Sequence, residues 1–210
     1  MIDESDKRSG AGYSLRDAVF LNTDRTILRP LVPADLGAVS RWYNDPEIRR
    51  LSGMSTPFLE SERETFYAST QEFADRLWLM IGDAEDGTII GETGFLRYNA
   101  QWRCADFTLI IGESRYRGNG YGREVLDAML SYGFGVLNLH RIAVGIVAFN
   151  DHALALYRGA GFVEEGRQVD GYYWDNTYHD FVMLSLLEND YRDGRNGGRR
   201  SDDERPQEVP

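Results

Sequence analysis

Arg117, Gly118, Asn119, Gly120, Tyr121, Gly122 and Arg123 stand between two apolar segments of different period. Before them, Phe107-Thr108-Leu109-Ile110-Ile111 is an apolar, β-branched run that reads as a buried strand. After them, Val125, Leu126, Met129, Leu130, Phe134 and Leu137 recur at helical spacing. A strand that turns through three glycines into an amphipathic helix can bind an anion. The glycines admit backbone conformations closed to residues with a Cβ, so several amide N–H groups can converge on a phosphate at the positive end of the helix. Two common phosphate loops are excluded: no Gly-Lys-Ser/Thr ending is present, and position 123 is arginine where a dinucleotide fingerprint needs glycine.

A second group follows. Arg141 to Phe149 reads as another strand, and Asn150 or Asp151 can cap the short helix behind it, which carries Ala153, Leu154, Leu156 and Tyr157 and stops at Gly161. Acidic candidates for proton transfer are Asp106 and Glu92 on strand-like runs. His140 precedes a strand and His152 opens a helix, so both are poorer bases. No His, Cys, Asp and Glu spacing suggests a metal site, and none is expected. The single cysteine, Cys104, allows no internal disulfide, which fits a reducing cytoplasm.

Arg117-x-x-Gly120-x-Gly122 resembles the Gln/Arg-x-x-Gly-x-Gly/Ala pyrophosphate loop of the GNAT acetyltransferases. Asn150-x-x-Ala153-x-x-Leu156-Tyr157-x-x-x-Gly161-Phe162 resembles their second signature, in the expected order. The resemblance implies an α/β (α+β) GNAT fold: a central mixed, mostly antiparallel twisted sheet of about seven strands flanked by about four helices and splayed between its fourth and fifth strands. It also implies acetyl-CoA as the cofactor, held by Leu109, Ile110, Ile111, Arg117 to Arg123, Asn150, Ala153 and Tyr157. In it Tyr157 is the general acid beside the coenzyme sulfur, and Asp106 occupies the place of an acidic residue facing the acceptor.

The elements that must position these groups begin with Thr26 to Leu31, an alternating first strand, and Pro33-Ala34-Asp35-Leu36, which opens a helix running to about Tyr43. Asn44-Asp45-Pro46-Glu47 breaks it, a loop or short helix reaches Phe58, and Glu60 to Phe73 reads as helix. In the family this region lies over the acceptor, which makes Trp42, Tyr43, Glu47, Phe58 and Glu60 candidate walls. A hairpin spans Leu77 to Leu96. A closing hairpin carries Tyr172, Tyr173 and His179 as further candidates, with Thr177 where the family usually has glycine. The opening Leu28-Arg29-Pro30-Leu31 resembles the subgroup of ribosomal-protein N-terminal acetyltransferases and spermidine N-acetyltransferases, and the stretch Tyr132 to Leu139 resembles the matching helix end of the spermidine acetyltransferases.

The domain is expected over 23–191, between a flexible 1–22 and a disordered tail at 192–210 whose charges balance. The net charge of −11 therefore sits almost wholly on the domain, which disfavours nucleic acid and anionic membranes and attracts cations. No apolar run approaches a membrane span of roughly 18–20 residues. The acceptor is expected to be a primary amine on a polyamine or other small molecule, attacked in a ternary complex, or alternatively a protein N-terminus. A non-catalytic acyl-CoA-binding module on the same fold is the further alternative. A homodimer is common among relatives.

Overall fold

A computed structural model describes residues 19–71 and 75–195. Eight strands form one sheet in the order β1-β2-β3-β4-β5-β6-β8-β7. They are β1 (Leu21–Asn22), β2 (Thr26–Pro30), β3 (Leu77–Asp83), β4 (Ile89–Asn99), β5 (Cys104–Ile111), β6 (Arg141–Val147), β7 (Val163–Trp174) and β8 (Thr177–Leu187). All neighbours are antiparallel except β5 and β6, which are joined through a helix and run parallel. The short β1 is the strand beyond the expected seven. Its start is held by Phe20, whose amide donates to Leu28 O at 2.8 Å and whose ring meets Tyr132 edge-on at 5.1 Å.

Among the described residues six α-helices cover the sheet: α1 (Leu36–Tyr43), α2 (Pro46–Ser52), α3 (Arg63–Gln71), α4 (Tyr121–Gly135), α5 (Asp151–Gly159) and α6 (Glu188–Arg195). The break at residues 44–47 is a helix start as well as a stop. Asp45 accepts from the amides of Glu47 and Ile48, and Pro46 sits in the first turn, so α2 begins at once. Helix α6 runs four residues past position 191, because Tyr191 stacks on Phe134 at 4.8 Å and Glu188 holds Arg103 and Arg192. The rest of the expected tail, and residues 1–18 of the expected flexible segment, lie outside the described residues.

Two apolar clusters pack on the sheet. One takes Val125, Leu126, Met129, Leu130 and Phe134 of α4, with Leu154 and Tyr157 of α5, against Phe95, Phe107 and Ile142. The other takes Val39, Trp42 and Tyr43 of α1, with Ile48 of α2, against Leu31 and Met80. Helix α1 is fixed to the sheet by a buried ion pair. Arg29 of β2, fully buried, makes two parallel bonds to the Asp35 carboxylate, each 2.7 Å, and Asp35 also accepts the Val32 amide at 3.0 Å. The β7–β8 turn resolves the missing glycine: the left-handed positions fall on Asp175 (φ 49°) and Asn176 (φ 60°), and Thr177 is already strand.

Candidate active site

The pairing of β5 with β6 stops early. Cys104, Ala105 and Asp106 pair with Arg141, Ile142 and Ala143, and beyond them the two strands part. Residues 107–111 therefore keep one edge free, while β6 stays paired to β8 along its whole length. A gap flanked by unpaired backbone has donors and acceptors for an extended ligand between two strands, and for the oxygen of a polarised carbonyl. At its open end lies the glycine loop. Gly118 (φ 72°) and Gly120 (φ 86°) are left-handed, and Gly120 is the N-cap of α4, a 15-residue helix.

The loop is braced from the N-terminal strands. The Glu124 carboxylate accepts from the Thr23 hydroxyl and from the Arg25 amide at 2.7 Å and Arg25 Nε at 2.8 Å, and the Arg25 guanidinium also reaches Asn119 O at 3.1 Å. The same guanidinium lies 4.5 Å over the Tyr121 ring. Arg117 is turned inward, with Nε on Ile111 O at 2.8 Å and Nη2 on Gly112 O at 2.9 Å, so its side chain shapes the loop. Arg123 reaches Asp127 and, at 2.8 Å, Gly159 O, which ties α4 to α5. What the loop offers an anion is therefore backbone N–H groups rather than these two side chains. The residues fit a diphosphate at the loop and an extended arm in the gap.

Tyr157 is 3 % exposed, its ring edge-on to Phe107 at 6.1 Å and to Phe162 at 5.3 Å. Phe107 is the first β5 residue beyond the last paired position, so Tyr157 stands at the root of the gap. Burial pushes its phenol well above the ordinary tyrosine value, which keeps it protonated and able to donate. Asn150 caps α5, its Oδ1 accepting the Ala153 amide at 3.1 Å.

The acidic candidates lie across the sheet from Tyr157. Met80, Glu92 and Ile110 stand opposite one another on β3, β4 and β5, and Met80 and Ile110 pack under α1 and α2. Asp106 shares the parity of Ile110 and so the same face, whereas Phe107, which touches Tyr157, has the other. Asp106 is at the root of the gap, 28 % exposed and paired to Arg97. Glu92 is four residues further along, about 13 Å at the rise of a strand. It is fully buried and accepts from the Tyr43 hydroxyl at 2.6 Å and from the Trp78 indole at 3.3 Å. Burial raises its carboxyl from 4.5 to about 7, against the lowering effect of those two bonds. The two carboxylates thus do not form one cluster. Among the described residues no group of three or more His, Cys, Asp or Glu is placed to hold a metal ion, and no helix is long and apolar enough to cross a membrane.

Of the candidate walls, Tyr43 and Phe58 come together with Phe66 in a triangle of edge-on rings 5.4–5.7 Å apart. They line a cavity of about 570 Å³ bounded by the loop from Gly53 to Phe58 and by α3. Trp42 does not line it: the ring covers Gly112, where a Cβ would come within 2.2 Å, and its N–H donates to Glu113 at 2.9 Å. Glu47 reaches Arg117 at 2.5 Å instead of the cavity. Tyr173 is 55 % exposed, its ring against Tyr178 at 4.8 Å and its hydroxyl donating to Asn176 at 3.4 Å within the hairpin; its neighbour Tyr172 turns inward, donating to Arg50 O at 2.9 Å. Trp78 and Phe66 were not legible as site residues, because strand and helix periodicity marks them only as buried positions.

Residues 25–163 match the family model described as the acetyltransferase (GNAT) domain. The chain belongs to the GNAT acetyltransferase family. It is 29 % identical over 153 residues to spermidine N(1)-acetyltransferase of Vibrio cholerae, covering 73 % of this chain and 82 % of that protein. It is 30 % identical over 171 residues to the uncharacterized N-acetyltransferase YoaA of Bacillus subtilis, covering 80 % and 96 %. Among solved structures, the Vibrio cholerae spermidine N-acetyltransferase in complex with CoA and spermine superimposes with a TM-score of 0.74 at 28 % identity, covering 80 % of this chain and 98 % of that one.

Proposed function

We propose that this chain transfers the acetyl group of acetyl-CoA to a primary amine of a polyamine, by direct attack in a ternary complex. The observation that carries the reading is the gap between β5 and β6, with the α4 glycine loop at its mouth and Tyr157 at its root. When bound, acetyl-CoA supplies the thioester; Gly118, Asn119, Gly120, Tyr121 and Gly122 would hold its diphosphate by backbone amides, and residues 107–111 and Asn150 its pantetheine arm. The free β5 amides orient the carbonyl oxygen. Tyr157 donates a proton to the departing sulfur from one face of the sheet. From the other, Asp106 accepts a proton from the incoming ammonium, directly or through water. Holding both reactants at one gap contributes much of the rate.

The net charge of −11 and the spermidine acetyltransferase relatives support a cationic acceptor. A peptide N-terminus is the second reading, favoured by one feature: of the residues lining the cavity under α3 only Glu62 is acidic, and it already accepts the Leu59 amide at 2.7 Å. The single Cys104 supports a cytoplasmic setting, and a homodimer is the assembly proposed. Thiol release from acetyl-CoA, measured with spermidine, spermine, amino sugars and short peptides, separates the readings. Turnover with the polyamines alone is expected. Turnover with peptides alone would replace the polyamine by a protein acceptor, and tight CoA binding without turnover would leave a binding module.

A further inference from the structure

The Glu92 carboxyl is 1 % exposed, on a central strand, and among the described residues no cation pairs with it. The groups that act on it are the Tyr43 hydroxyl from α1 and the Trp78 indole from β3; Met80 and Ile110 flank it in the sheet, and none of these carries a charge. An ionised carboxylate left in this state is costly, and a cation brought close to it relieves the cost. Tyr43 connects the carboxyl to the outside. It lines the 570 Å³ cavity, and its hydroxyl, while donating to Glu92, keeps lone pairs free to accept. Phe58 and Phe66 complete an aromatic surround at that point, and Phe66 is itself edge-on to Trp78 at 5.7 Å. Aromatic faces backed by a buried negative charge make a site for an ammonium group.

Its distance from the reaction centre gives the site a meaning. Glu92 lies level with Ile110, four residues along β5 from Asp106 at the gap root, about 13 Å apart. One amine nitrogen cannot occupy both places, whereas an extended polyamine can. Resting on the acetyl-transfer reading above, we propose that the Tyr43–Glu92 pair seats a second, non-reacting ammonium of the acceptor, so that the chain selects amines carrying two or more charges. The reacting nitrogen sits at Asp106, and the distal one is hydrogen-bonded by Tyr43 Oη with Glu92 as its counter-charge. No covalent step is involved, but a proton moves. Below neutral pH the Glu92 carboxyl holds its proton, and arrival of the ammonium favours the ionised form, so binding releases that proton to the medium.

Two measurements test this on the full chain. In steady state with acetyl-CoA, KM is compared for butylamine, spermidine and a ladder of α,ω-diamines in the wild type, Glu92→Gln and Tyr43→Phe. The wild type is expected to favour amines whose nitrogens lie about 10–14 Å apart. Each variant is expected to raise their KM by about tenfold or more, the worth of one hydrogen bond to a charged group, and by more than it raises the KM of butylamine. Where Glu92→Gln fails to fold, Tyr43→Phe carries the comparison. In parallel, calorimetry of spermidine binding at pH 6.5, in two buffers of different ionisation enthalpy, is expected to show proton release in the wild type and none in Glu92→Gln. Equal loss for mono- and diamines, or unchanged diamine KM in both variants, overturns the second-ammonium site while acetyl transfer stands. A wild type that turns over no amine at all overturns the acetyl-transfer reading and this inference with it.

Discussion

Replacing Glu92 by glutamine is expected to change how stability depends on pH, in a direction and by an amount that follow from its burial. The folded carboxyl titrates at about 7 and its ordinary value is 4.5, because the folded chain takes the group wholly out of water. The folded state therefore holds this proton more tightly than the unfolded state. Below pH 4.5 both states are protonated and the group is neutral to stability. Between 4.5 and 7 the unfolded chain has released the proton and the folded chain has not, so stability falls as pH rises through that window. At about 1.36 kcal/mol per tenfold difference in proton affinity, the loss amounts to about 3 kcal/mol by pH 8. That is a large share of a typical domain stability of about 5–15 kcal/mol. Glutamine cannot ionise, and its amide is of nearly the same size. Urea unfolding of both proteins at half-unit steps from pH 4.5 to 8.5 gives the difference in unfolding free energy, in which every other titrating group cancels. The variant is expected to gain about 3 kcal/mol on the wild type across the range. A difference that stays flat with pH, whatever its offset, would refute the argument that burial holds this carboxyl up.

Two further outcomes are expected. Arg29→Ala leaves the buried Asp35 carboxylate without its guanidinium and is expected to cost about 3–5 kcal/mol, read as a lowered urea midpoint with an unchanged slope. Gly120→Ala places a Cβ at φ 86° and 3.2 Å from Arg25 Nη2, and is expected to weaken CoA binding by about tenfold in calorimetry through about 1–2 kcal/mol of backbone strain, while the fold persists.

The parts of the site written by backbone chemistry were legible in the sequence. Glycines 118 and 120 announced the loop, and Asn150 with Gly161 announced the limits of α5, because positive φ and capping need particular residues locally. The contacts that join distant segments were not. Tyr43 and Glu92 are 49 residues apart, and Trp42 and Glu113 are 71 apart; nothing in either neighbourhood names its partner. Tyr172 and Tyr173 show a third case. The register of β7 slips between Gln168 and Tyr172, so the alternation that decides which tyrosine faces α2 cannot be counted from the start of the strand. Helix α6 was missed because its side chains are almost all polar, and the apolar contact that holds it is one tyrosine on Phe134.

The most direct test of the central claim is the mass of spermidine after incubation with acetyl-CoA and the wild type, run beside Tyr157→Phe. Donation to the sulfur by Tyr157 predicts a singly acetylated product from the wild type and a kcat lowered by about 100-fold or more in the variant. Spermidine recovered unmodified from the wild type, or acetylated equally fast by the variant, would contradict the account.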